Sequence, residues 1–434
     1  MAPILKAINE SSLLQRFRDQ MAEVPILGWL LGALAAVLVE LFVGDLLARA
    51  LGMSRAPALF GLRIMLKTPV LIPSAIVYVL LTYFLPVALV AGFTSRWTNR
   101  FAGELLDRSM VLSLLVHLAL LYATLHFWGT LNDYRVLVLR LMFIAVIATL
   151  SLNVVNGYLG EFSCSHPGFM ALGAYVASIL TVLLFVDDDV FGTPLLPPAM
   201  GPFIFPLTLI AGGIAASVGA LAVAIPSFRT RGDYLAIISL AFTFIVKSLV
   251  ENLEVIGGPR GFMNQPQWAP LSVVFAVMVI CVAIIYNFVR STLGKATCAV
   301  RDDETAAGHL TVNTRRTKMV AFLFAAFWAG VSGGLFAHVL GYINPGTFGL
   351  SKLTEVLAMV YLGGLNSVVG SIVGAVGIQL LTEVLRPLEI LKWVVLPVLI
   401  IAFMMFRPTG LIAFTEFDVK DVLRPRTSEE RRGE

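Results

Sequence analysis

Runs of about twenty apolar residues recur along this chain, separated by short polar segments. Coiled as a helix, a run of that length matches the hydrocarbon thickness of a bilayer. In lipid the backbone must satisfy its own hydrogen bonds, which leaves only helices and closed barrels. A barrel would alternate apolar and polar residues over strands of about ten, whereas these runs are unbroken. Hydrophobic residues make up 58% of the 434 residues and charged residues 13%. The mean hydropathy is +0.88, far outside the soluble range. The sequence therefore predicts an all-α polytopic membrane protein. Twelve runs stand out, at roughly 26–47, 69–92, 109–128, 136–157, 168–186, 203–226, 233–250, 271–290, 319–340, 353–363, 367–385 and 391–406. We take about ten as core transmembrane helices and the first two as extra N-terminal spans. The tenth is short and is followed by "GGLNS" and the glycine-rich "VVGSIVGAVGIQLL", the pattern of a broken helix whose halves pack through small residues. Charge precedes the first run and no small-residue cleavage site ends it, so an uncleaved span is expected rather than a signal peptide.

Several chemistries find no support. The net charge of +4 is too modest to signal nucleic acid. Cys164, Cys281 and Cys298 lack the spacing of a disulfide framework or zinc site. "STLGKAT" has Gly294 and Lys295 but lacks the earlier glycine and the following Ser/Thr of a nucleotide-binding loop. Neither H-E-x-x-H nor G-x-S-x-G occurs. "RDDE" at 301–304 has adjacent carboxylates, a thin basis for a metal-dependent lipid enzyme. No cofactor is expected, and no enzymatic activity of the chain alone.

One long polar break is the exception. "RSTLGKATCAVRDDETAAGHLTVNTRRTK", residues 290–318, carries six Lys/Arg, three adjacent acids and a histidine between two apolar runs. By the positive-inside rule it is cytoplasmic. Alternation then puts 251–270 and 187–202 outside, and 227–232, 93–108 (Arg96, Arg100, Arg108) and the tail from Arg407 inside. The pattern breaks at 48–68, an outside segment that carries Arg49, Arg55, Arg63 and Lys67. Within the break, Asp302 or Asp303 can cap a short helix with Glu304 in its first turn. Such a helix suits a docking surface for a soluble partner, and a solvated topogenic loop accounts for the composition as well. Elsewhere "YLGEFSCSHPGFMALGAYV" at 158–176 faintly echoes "YLGGLNSVVGSIVGAVGIQL" at 361–380. Both are interruptions of the kind that line substrate sites in transporters.

Five ordered blocks carry a family resemblance. They are "NVVNGYLGEFSCSHPGFMALGAYVAS" (Asn153–Ser178), "RTRGDYLAIISLAF" (Arg229–Phe242), "IGGPRGF" (Ile256–Phe262), "GKATCAVRDDETAA" (Gly294–Ala307), and "VYLGGLNSVVGSIVGAV" with "FRPTGL" (Phe406–Leu411). The sequence over about 109–411 resembles the ABC-importer permeases of the branched-chain amino-acid (LivM-type) family. It departs from the family pattern at Phe244 (often an acid), Arg260 (usually Asn), Ser165 (usually Gly) and Thr311 (commonly Gly).

The resemblance implies a bacterial inner-membrane permease subunit, organised as an N-terminal extension (1–108), a transmembrane core (109–411) and a cytoplasmic tail (412–434). It implies a second homologous permease, two cytoplasmic ATPase subunits and a periplasmic solute-binding protein as partners, besides membrane lipid. The solute would be a branched-chain or related hydrophobic amino acid, with urea, short amides or aromatic and organic acids as alternatives on the same scaffold. An ion-coupled transporter, using Glu355, Glu383, Glu40 or Asp45, is a further alternative. The ATPase-coupling loop would comprise Gly294, Ala299, Arg301, Asp302, Asp303, Glu304, Ala306 and Ala307. Ser163, Ser165 and His166, just before the helix-breaking Pro167–Gly168, are candidates to line the translocation pathway. Tyr175 and the outer-loop residues Gly257, Gly258 and Arg260 join them, against the plainer roles of packing and turn formation. His338, Tyr342 and Asn344 approach an outer loop on which a binding protein could dock.

Overall fold

The computed structural model describes residues 21–54, 56–62, 68–188, 190–228, 234–407, 410–412 and 418–425. Among them the regular structure is helical, with two isolated bridges in loops. Nine helices are long and apolar enough to cross a membrane. They are α1 (Ile26–Ala50), α2 (Ile72–Arg108), α3 (Met110–Thr130), α4 (Asp133–Tyr158), α5 (His166–Phe185), α6 (Pro198–Ser227), α7 (Tyr234–Glu251), α8 (Leu271–Arg290) and α11 (Thr314–Leu340). Between α8 and α11 lie the short helices α9 (Thr292–Asp302) and α10 (Glu304–His309). After α11 come α12 (Leu350–Gly363), α13 (Val368–Val384) and α14 (Lys392–Phe406). The tenth and eleventh apolar runs are two short helices on either side of the break, packed together through glycines as the sequence pattern predicts. They form a hairpin of two shorter helices, too close for side chains at the crossing: a Cβ on Gly374 would sit 2.1 Å from the Met359 carbonyl.

The chain forms two compact units, one of residues 1–136 with 384–387 and 417–434, the other of 137–383 with 388–416. In the first, α2 overturns an expectation: 93–108 is no loop but a continuation of the helix. Trp97 stacks on Phe101 there and Thr94 and Thr98 bond back to the preceding turn, so the ladder runs on where the apolar run stops. A π-turn at Leu80–Phe84 precedes Pro86, which has no N–H to give the carbonyl one turn back. Arg55, Arg63 and Lys67 of the charge anomaly, and Arg229 and Arg231, lie outside the described residues.

The second unit is built on α5, α6 and α11, whose backbones touch. A Cβ on Gly173 would lie 2.1 Å from the Gly330 carbonyl, and one on Gly333 would lie 1.9 Å from that of Met170. Lipid offers no hydrophobic drive to associate helices, so small residues that let backbones meet supply the packing. This seam packs α5 tightly between α6 and α11.

Candidate functional site

α4 ends in a π-turn, Val154–Tyr158, and the chain then runs without regular structure to His166. This interruption lies inside the bundle: Ser163, Ser165 and His166 are fully buried. Its backbone polar groups have no helix to satisfy them, so side chains do it. Asn156 Oδ1 accepts from Ser163 N at 3.1 Å, Ser239 Oγ accepts from Cys164 N at 2.9 Å, and Thr243 Oγ1 donates to Cys164 O at 2.9 Å. The Ser163 and Ser165 hydroxyls bond each other at 2.8 Å. His166 is different. Neither ring nitrogen makes a well-formed hydrogen bond, although the Ser151 carbonyl acts on the ring.

The second interruption meets the first. Asn153, fully buried on α4, donates Nδ2 to Ser371 Oγ (2.6 Å) and Ser367 O (3.1 Å) and accepts from Asn366 N at 3.3 Å. The two stretches that echo each other in sequence are thus joined through the end of α4.

The remaining pathway candidates lie elsewhere. Tyr175 is more than two turns further along α5, against Phe348, with a buried hydroxyl that makes no hydrogen bond. Gly257, Gly258 and Arg260 belong to a loop cluster at the end away from the charged break. There Phe262 and Ile343 exchange backbone bonds at 2.8 and 3.0 Å, and Tyr342 OH donates to Arg260 O at 2.8 Å. Gly257 has φ +85°, and a Cβ would lie 2.0 Å from Gly261 O, so a turn requirement explains that glycine. The Arg260 side chain is exposed. The structure thus brings Ser163, Ser165 and His166 together and sets Tyr175 and Gly257–Arg260 apart. Tyr342 and Asn344 join the loop cluster, but His338 is buried. Its nitrogens face Gly334 O (2.8 Å) and Thr181 Oγ1 (2.9 Å), a packing role.

The charged break is well ordered. Ser291 caps α9 by accepting from Gly294 N, and Asp303 caps α10 by accepting from Thr305 N and Ala306 N, both at 2.9 Å. A Cβ on Gly294 would lie 2.1 Å from Val289 O, so only glycine lets α9 fold this tightly against the end of α8. Ala307 is buried; Ala299, Asp302, Asp303, Glu304 and Ala306 are exposed. An open groove of about 530 Å³ runs along α9, lined by Lys295, Cys298, Ala299 and Asp302 among others.

Two residues of the break turn inward. Arg301 pairs with Asp302 at 2.7 Å, and its side-chain carbons lie where a Cβ on Gly160 would be, 2.4 Å away. Lys318, at the start of α11, binds Glu161 at 2.6 Å and Glu304 at 2.9 Å. Both contacts reach residues 160–161, the beginning of the stretch that leads to His166. No local pattern signals the pairing of Lys318 with Glu161, 157 residues away.

In the first unit, Glu40 and Arg135 form a fully buried bidentate pair, at 2.7 and 3.0 Å. Tyr78 and Tyr83 also donate to the Glu40 carboxylate, and Trp128 Nε1 donates to Tyr83 OH at 3.1 Å. Asp45 accepts from Ala56 N at 2.9 Å. Both acids of the first span therefore have structural partners. Arg135 is a buried charge that the sequence reading did not single out. Its position at the edge of a run was the available signal. Among the described residues no cluster of three His, Cys, Asp or Glu is placed to hold a metal.

Residues 134–406 match the profile of the family described as "Branched-chain amino acid transport system / permease component". The chain is 30% identical over 364 residues to the high-affinity branched-chain amino acid transport system permease protein LivM of Escherichia coli (strain K12), covering 76% of this chain and 82% of that protein. Identity to the LivM protein of Salmonella typhimurium is 30% over 356 residues, 74% of this chain and 80% of the relative. A shorter likeness, 27% over 136 residues, covers 30% of this chain and 40% of the autoinducer 2 import system permease protein LsrC of Photorhabdus luminescens. No solved structure matches.

Proposed function

The chain belongs to the branched-chain amino acid transport system permease family, and from that premise we propose how it carries solute and how the movement is driven. It is a multi-pass membrane protein and the permease component of an ABC transport system, not itself an enzyme. In the proposal it sits in the bacterial inner membrane beside a second, homologous permease. A periplasmic binding protein delivers branched-chain or related hydrophobic amino acids to the loop cluster around Gly257–Arg260. Two ATPases dock on the cytoplasmic face of α9 and α10, using the groove along α9 and the exposed Asp302, Asp303 and Glu304. The mechanism is alternating access, with solute passing the interruption at Ser163–His166, where the buried His166 ring, without a well-formed hydrogen bond, suits a polar solute inside lipid.

The observation that carries this is the double bridge of Lys318 to Glu161 and Glu304, with Arg301 seated on Gly160. A docking helix that is bonded to the start of the interruption moves it when the ATPase moves the helix. The test is gentle purification of the tagged chain from its native membrane. An ATPase should co-purify with the wild type and be lost, at equal abundance of the chain, in Asp302→Arg/Glu304→Arg. A chain that purifies alone from several mild detergents, or a variant that keeps its ATPase, contradicts the docking assignment.

A further inference from the structure

A cavity of about 200 Å³ opens in the second unit, lined by α4, the first turn of α5, α11, α12 and α13. Its two ends differ in chemistry. Lys352 and Glu355 stand at one end, Nζ to Oε2 2.9 Å apart, with side chains only 15% and 19% exposed. Lys352 Nζ also lies 5.4 Å from the centre of the Phe336 ring. Glu383 of α13, itself buried, lines the same cavity, and Gln379 lies one turn deeper. At the other end are Ala145, Ala148, Met170 and Met359. Lys352 and Met359 are two turns of helix apart, about 10 Å. The charged end is the one remote from the charged break, because α12 begins there and α13 ends there.

Ionisable side chains inside a bilayer are costly, and they mark ligand or ion paths. One ammonium and two carboxylates above an apolar pit match a particular ligand. A simple anion would face two carboxylates. A simple cation would face Lys352. A small neutral amide would leave the apolar end unfilled. A zwitterion bearing an apolar group satisfies both signs and both ends. The volume exceeds the ~150 Å³ of an apolar cavity that admits benzene, which leaves room for a branched side chain and its α-carbon substituents.

The geometry points to this cavity as a subsite for an α-amino acid with an apolar side chain. Lys352 takes the α-carboxylate, Glu355 and Glu383 take the α-ammonium, and the side chain lies toward Met170 and Met359. At rest Lys352 and Glu355 compensate each other. The ligand enters between them, its carboxylate facing Lys352 and its ammonium facing Glu355, so neither member of the pair is left uncompensated. This assignment rests on the permease function proposed above and adds to it the residues that select the solute.

The test uses the complete importer, purified through a tag on this chain and reconstituted in proteoliposomes with its binding protein, with uptake of radiolabelled L-leucine and L-alanine as readout. Lys352→Met should lower leucine uptake at least about tenfold, the scale of one lost charge-assisted bond, while still co-purifying with its partners. The swap Lys352→Glu/Glu355→Lys re-forms the ion pair with its polarity reversed. It should not restore uptake. Ala145→Leu, which shortens the apolar end without touching the charges, should reduce leucine uptake more than alanine uptake. Restoration by the swap would show a purely structural pair and overturn the inference. So would unchanged leucine uptake in Lys352→Met, or an unchanged leucine-to-alanine ratio in Ala145→Leu. A wild type that moves no amino acid would overturn the functional proposal and this inference together. A wild type that moves leucine beside variants that do the same overturns this inference alone.

Discussion

Glu40 and Arg135 hold each other where neither could be hydrated, with both carboxylate oxygens and both terminal guanidinium nitrogens engaged. Breaking such a pair leaves an uncompensated buried charge, at a cost of about 3–5 kcal/mol. Glu40→Ala and Arg135→Ala should each lower detergent-solubilised thermal stability by that order. Replacing both with apolar residues of similar volume should cost less than either single change. Equal, additive losses would mean that the pair does not act as a unit. Thr311 is a second residue-scale case. It has φ +71°, a conformation that costs an L-residue with a side chain about 1–2 kcal/mol. Glycine would adopt this angle without that cost. Thr311→Gly should raise the unfolding free energy by about 1 kcal/mol; an unchanged or lower value contradicts the strain. The Thr311 departure was visible in the sequence, but its meaning needed the backbone angle.

At the scale of elements, the apolar runs were legible because lipid leaves a twenty-residue run little choice but a helix. The caps of α10 and the helix break before His166 were legible too, since Asp303 and Pro167–Gly168 act through neighbouring backbone. What was not legible depended on distance or continuity. The 93–108 segment reads as a loop by charge, yet a helix does not end where hydrophobicity ends. Asn153 reaches Ser371, 218 residues away, and no local pattern signals such a contact. The interruption itself yields a sharp test at His166. A buried imidazole without well-formed bonds adds little to stability, and an apolar replacement of similar size should leave the fold as stable or more so. His166→Leu should therefore keep its abundance and melting temperature, while leucine uptake falls about tenfold or more if the ring meets the solute. Loss of abundance together with uptake would assign His166 to packing instead.

For the whole molecule, the second unit has a chemical direction. One end carries α9 and α10 with the exposed acids, the other the loop cluster of Arg260, Tyr342 and Asn344, and the buried interruptions lie between. The glycine seam of α5, α6 and α11 is the fixed part. In the proposed mechanism, the contacts of Arg301 and Lys318 with residues 160–161 are the route by which force on α9 and α10 reaches the interruption. The most direct measurement is ATP hydrolysis and leucine uptake in the same proteoliposomes, comparing wild type with Lys318→Met. Lys318 is only 14% exposed, so an ATPase docked on the outer face of α9 and α10 would not depend on it. The predicted result is hydrolysis that continues at half the wild-type rate or more, roughly, while uptake falls about tenfold, the scale of one lost charge-assisted bond. Hydrolysis and uptake that stay coupled, whether both persist or both fail at normal complex yield, would contradict the assignment of Lys318 as the mechanical link.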